Sequence, residues 1–70
     1  MTTETYRVSG MTCEHCIAAV TDEITSLPGV ASVSIALVAG GTSDVTVDSA
    51  DALDRDDVAR AVDEAGYVLA

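Results

Sequence analysis

The sequence predicts an α+β fold in the order β-α-β-β-α-β, with two helices packed on one face of a four-stranded antiparallel sheet. Three observations predict it. Apolar residues recur at helical spacing in two segments, over residues 14–27 and after Asp54; they alternate with polar residues around 5–9, 30–38 and 44–48; and Pro28-Gly29, Ala39-Gly40-Gly41 and Gly66 punctuate the chain between these segments. The 70 residues suffice for one modest core, so residues 1–70 are expected to form a single domain. A chain this short lacks the several layers that usually shape a deep substrate pocket, and an enzyme is not expected.

The first strand is expected over residues 5–9, with Tyr6 and Val8 on one face and Thr5 and Arg7 on the other. Ile17, Val20, Ile24 and Leu27 recur at spacings of three, four and three, which makes one stripe of a helix over 14–27 that Pro28-Gly29 ends. Neither cysteine belongs to that stripe. Residues 30–38 then alternate, with Ala31, Val33, Ile35 and Leu37 on one face and Ser32, Ser34 and Ala36 on the other, as a half-buried strand should. Ala39-Gly40-Gly41-Thr42-Ser43 reads as a hairpin turn, and a third strand over 44–48 buries Val45 and Val47.

The second helix has a marked start. Asp54 is its N-cap, Asp57 at N3 gives an imperfect capping box, and Leu53 is placed to staple onto Val58. Asp56 and Asp57 suit the positive end of the helix. Val58, Ala61, Val62 and Ala65 form its apolar stripe, and Gly66 is the C′ residue able to take the left-handed conformation. A short strand over 67–69 closes the split βαβ, or ferredoxin-like, arrangement.

Twelve acids against three arginines, with no lysine, give a net charge of -9. That balance repels phosphate backbones and anionic lipid, so nucleic acid is not an expected partner, while a basic surface on another protein is. No stretch approaches the roughly 18 apolar residues of a membrane helix, and Met1-Thr2-Thr3-Glu4 carries no basic patch ahead of an apolar run. The reading is a soluble cytoplasmic protein without membrane insertion. Two cysteines are too few to staple a secreted domain of this size, so the core must hold the fold.

The chemistry concentrates in Gly10-Met11-Thr12-Cys13-Glu14-His15-Cys16. Two thiols spaced C-x-x-C on a turn entering a helix can point the same way, and the helix N-terminus supplies unpaired N–H groups and partial positive charge that favour thiolates. Cys13 and Cys16 are therefore candidate ligands for a soft metal. The other reading of the pair is a disulfide or a redox dithiol. Gly10 suits a tight backbone before the ligands, and Thr12 is a candidate cap or loop hydrogen-bonder. His15 is a proton-sensitive neighbour that, when charged, favours both thiolates; direct ligation and a solvated bystander are its other readings. Glu14 is expected to be solvated.

The element order, with Gly-Met-Thr-Cys-x-x-Cys at the first turn, Leu27-Pro28-Gly29-Val30 at the first helix exit and Ala65-Gly66-Tyr67 at the second, resembles the heavy-metal-associated domain family across essentially the whole chain. That family comprises small copper(I) chaperones and the similar cytosolic domains of copper-exporting and related metal-pumping ATPases. The resemblance implies that Cys13 and Cys16 hold one copper(I) and pass it by thiolate exchange to the cytosolic domain of a copper-transporting P-type ATPase, with a copper-responsive repressor as another recipient. It implies a monomer, with a copper-bridged homodimer where two exposed sites share ions. Met11 is implied to pack beneath the site, although its thioether is also a soft donor. Tyr67 is implied to lie beside the metal loop, where a phenol can donate toward a thiolate sulfur; its other reading is an aromatic closing the core edge.

Two competing classes remain: a dithiol redox protein, and a zinc, cadmium or mercury(II) domain of a metal-pumping ATPase. Glu14 sits between the cysteines rather than before them, unlike the arrangement associated with zinc pumps, which favours copper. A chain that starts at methionine and carries one domain reads as a free-standing bacterial or archaeal chaperone rather than an excised ATPase domain.

Overall fold

The computed structural model describes residues 1–12 and 14–70. Its frame is a hairpin-like pairing of two strands distant in sequence. β1 (Thr2–Ser9) and β3 (Thr42–Ser49) run antiparallel in unbroken register, from Thr2 opposite Ser49 to Ser9 opposite Thr42. β2 (Val30–Ala36) joins the outer side of β3 and β4 (Val68–Leu69) the outer side of β1, giving the order β2-β3-β1-β4. With α1 (Glu14–Thr25) and α2 (Arg55–Glu64) between them, this is the ferredoxin-like βαββαβ sandwich that the alternating periodicities predict.

The core sits between sheet and helices. Period-two alternation turns Tyr6, Val8, Val45 and Val47 inward, and they meet Val20 and Ile24 of α1 and Val58, Ala61 and Val62 of α2 in one buried cluster. The other face of the sheet is polar. There the Thr3 and Ser32 hydroxyls both donate to the Asp48 carboxylate, at 2.5 and 3.0 Å, and hold its pKa below the ordinary value; Arg7 faces Asp44 at 3.5 Å.

Element boundaries depart from the sequence pattern in instructive ways. β1 begins at Thr2 because residues 2–4, though without apolar side chains, pair with Val47, Asp48 and Ser49 of β3. α1 stops at Thr25: the Thr25 and Ser26 hydroxyls donate back to the carbonyls of Thr21 and Glu23, each at 2.6 Å, and Leu27 N–H closes onto Ile24 O at 3.0 Å in a tighter turn. In β2 the pairing jumps from Val30 opposite Ser49 to Ser32 opposite Asp48, leaving Ala31 as the extra residue of a bulge. Val30 therefore packs against the core and Ala31 is exposed, which reverses the expected inward position of Ala31.

α2 is capped at both ends. The Asp54 carboxylate accepts from Asp56 N–H at 2.9 Å, while Asp57 faces Arg60 at 3.7 Å. At the other end Gly66, at φ +93°, allows a Schellman closure in which Gly66 N–H reaches Asp63 O at 2.9 Å and Tyr67 N–H reaches Val62 O at 3.1 Å. Tyr67 thus belongs to the helix cap rather than to β4, which starts one residue later than expected.

Tyr6 gives the fold a pH signature. Its ring is buried, and burial, the hydrogen bond it donates to Glu4 at 2.8 Å and the Glu4 charge push its pKa up to about 12, against a smaller lowering by Arg55. The folded state holds this proton more tightly than the unfolded chain, whose tyrosine titrates near 10. The associated stability is complete below pH 10 and is lost as pH rises toward 12. Thermal melts from pH 9 to 12 are expected to show this fall, and Tyr6→Phe to flatten it; an equal fall in the variant would assign it elsewhere.

Candidate metal centre

Sheet register decides what surrounds the first turn. Ser9 lies opposite both Thr42 and Val68, so the end of β1 is level with the starts of β3 and β4. Three connections consequently share one end of the molecule: the β1–α1 loop, the β2–β3 loop over residues 37–41, and the α2–β4 turn that carries Tyr67.

The loop leaves β1 through Gly10 at φ +96°, a left-handed backbone that strains any residue with a Cβ. A Cβ there would lie 3.5 Å from Cδ1 of Tyr67, so the tyrosine ring flanks the loop at its first residue. Tyr67 is half-buried and packs against the core, so its ring both closes the core edge and lies beside the loop. Met11 follows with no exposed surface, and its carbonyl accepts the Gly40 N–H at 3.3 Å. Thr12 returns the chain to the surface, its Oγ1 standing 3.9 Å from the Cys16 Sγ. Cys13 lies outside the described residues.

Cys16 corrects the sequence reading. It is 7% exposed and belongs to the core cluster, heading a buried stripe of Cys16, Val20 and Ile24 at successive spacings of four; Ile17, expected at the head of the stripe, is only half-buried. The reason is helical phase: residues i, i+4 and i+8 lie on one face, and the buried pair Val20 and Ile24 selects Cys16. The sulfur therefore has an apolar floor on one side and the Thr12 hydroxyl on another, within the first helical turn, where unpaired N–H groups favour negative charge. His15 and Glu14 are exposed on that same turn.

The sequence reading missed Gly40, which the hairpin places on Met11. The signal was available: in a βαββαβ chain with an antiparallel sheet, the β2–β3 turn and the β1–α1 turn must fall at the same end.

An open βαββαβ sandwich with a C-x-x-C segment at this end defines a class, the small ferredoxin-like domains built around a dithiol turn. Within that class the chain belongs to the heavy-metal-associated domain family, whose pattern matches residues 5–68. It is 40% identical over 70 residues to the copper chaperone CopZ of Bacillus subtilis (strain 168), a match covering 100% of this chain and 99% of that protein. Among solved structures, a CopZ metallochaperone superposes with a TM-score of 0.85 at 28% identity, covering 99% of this chain and 100% of the other. Oxidized MerP from Ralstonia metallidurans CH34 superposes with a TM-score of 0.68 at 30% identity, covering 99% and 96%. Among the described residues, no helix is long and apolar enough to cross a membrane.

Proposed function

We propose that the chain is a cytosolic copper(I) metallochaperone that holds one ion on Cys13 and Cys16 and delivers it by thiolate exchange to the cytosolic domain of a copper-transporting P-type ATPase. The observation that carries this reading is the full-length similarity to a copper chaperone, 40% identity with the C-x-x-C segment in place. Copper(I) is soft and accepts two thiolates, so Cys13 and Cys16 are a sufficient donor set for it, whereas a structural zinc ion usually takes four protein ligands.

The arrangement supports exchange. Cys16 is set in the core, and the preceding Thr12 is exposed, so the site has one anchored donor and an approachable side. A partner thiol loses its proton and its sulfur bonds to the ion; the bond to one resident sulfur then breaks, and that sulfur takes up a proton, after which a second partner thiol displaces the other resident sulfur in the same way. The ion remains copper(I) and no electron moves. A net charge of -9 selects recipients with a basic docking surface and excludes like-charged ones.

The test is an anaerobic competition titration of reduced protein with copper(I) against a chromophoric copper(I) chelator, repeated with zinc in excess. The expected result is uptake of about one copper per chain, undisturbed by zinc. Failure to compete for copper would overturn the proposal, in favour of zinc if that ion bound and of disulfide exchange if neither did.

A further inference from the structure

Ser43 is fully buried at the start of β3, where among the described residues its hydroxyl bonds to backbone. Its Oγ accepts the Val38 N–H at 2.9 Å and lies 3.5 Å from the Val38 carbonyl, to which it donates. Gly41 N–H also reaches Val38 O, at 3.0 Å. The turn is closely packed as well: a Cβ at Gly41 would come within 2.9 Å of Val38 Cγ1. A buried hydroxyl, a backbone bond and a steric contact thus fix residues 38–43 as one unit. From that unit the Gly40 N–H crosses to Met11 O at 3.3 Å.

We propose that the β2–β3 turn is a brace for the metal loop, with Ser43 as the pin that shapes it and the Gly40 N–H as its point of contact. Met11 is then held twice, by its side chain in the core and by its carbonyl at the brace. The peptide plane leaving Met11 is oriented, and with it Thr12, whose hydroxyl stands by the Cys16 sulfur. The Cβ-less Gly10 on the other side leaves the loop free to swing unless something holds it. The brace raises the fraction of molecules whose loop is ready for the ion, and apparent affinity scales with that fraction. Ser43 is a positioning residue here. This inference rests on the reading of Cys13 and Cys16 as copper(I) ligands.

The test removes the donor that contacts Met11 while keeping every side chain. A chain of 70 residues is within reach of chemical synthesis, so the Gly40 amide can be replaced by an ester, deleting its N–H without adding a side chain. The control is the same change at Ala50, whose N–H donates to Gly29 O at 2.8 Å, at the opposite end of the sheet. The Gly40 ester is expected to raise the copper(I) dissociation constant about five- to tenfold, the effect of one net hydrogen bond, while the Ala50 ester lowers the melting temperature and leaves copper affinity unchanged. Ser43→Ala should weaken copper binding in the same direction, and in the native chain copper loading should slow hydrogen exchange at the Gly40 amide, since coupling is reciprocal. Unchanged affinity in the Gly40 ester, or an equal loss in the Ala50 ester, would overturn the brace while native copper binding stands. A native chain that holds no copper(I) would instead overturn the metal reading, and this inference with it.

Discussion

Cys16→Ala is expected to abolish copper(I) retention and, at the same time, to lower stability by about 1 to 2 kcal/mol. The first effect follows from chemistry. A single thiolate cannot supply the two-sulfur site, so the loss should exceed the roughly 10- to 100-fold cost of removing an outer partner of a metal ligand. The second follows from position. The Cys16 side chain is 7% exposed and caps the stripe formed with Val20 and Ile24, so deleting its sulfur removes buried contacts and leaves a small void. A ligand on an exposed loop would show only the first effect. Cys16→Ser separates the two: the hydroxyl nearly restores the volume but is a hard donor, so copper retention should stay lost. Competition titration and urea unfolding, run on native protein and both variants, read the two effects independently. Full stability in Cys16→Ala would contradict the placement of Cys16 in the core, and retained copper would contradict its role as ligand.

The burial of Cys16 shows what a sequence pattern hides. The strand and helix order was legible because Tyr6 and Val8, Val45 and Val47, Val20 and Ile24, and Val58, Ala61 and Val62 repeat at the periods their elements impose, and all nine lie in the core. Cys16 escaped because a cysteine in C-x-x-C is read for its chemistry, and Ile17 beside it is the more apolar choice for a stripe. The position of Ala31 escaped for a different reason. A bulge shifts the alternation by one step, here for the start of β2 while Val33 and Ile35 keep their inward positions, and its location depends on which residues of β3 the strand meets, which local alternation does not encode. The polar start of β1 is likewise set by its partner strand. At the site, the positive φ of Gly10 and the nearness of Tyr67 to the loop could be anticipated, the former from glycine's freedom and the latter from the family resemblance. The Gly40 contact is tertiary and becomes visible only once the turns are placed at one end of the sheet.

Met11 is where packing and the site are most closely joined, and Met11→Ala should be the most damaging substitution outside the cysteines. Its side chain has no exposed surface and is among the largest fully buried in the molecule. Truncating a buried methionine costs about 2 to 5 kcal/mol through lost burial and the cavity left behind. Small domains have roughly 5 kcal/mol in all, so much of the Met11→Ala population should be unfolded near body temperature, with the melting temperature reduced by at least about 10 °C. Met11→Leu keeps the volume and the apolar character and should cost less than about 1.5 kcal/mol. The pair also decides between the two uses of the thioether. As a packing residue, Met11 can become leucine without loss of copper(I); as a third ligand it cannot, and a folded Met11→Leu protein that no longer competed for copper would show that the sulfur itself is needed. Packing makes a further demand that ligation does not. Copper bound only by the folded state must stabilise the Met11→Ala variant by mass action, so its melting temperature should recover progressively with free copper(I), tracked by circular dichroism. Recovery of that kind requires the metal loop to form once copper offsets the lost packing, and it would show that the cavity left by the truncated side chain weakens the scaffold rather than the metal affinity.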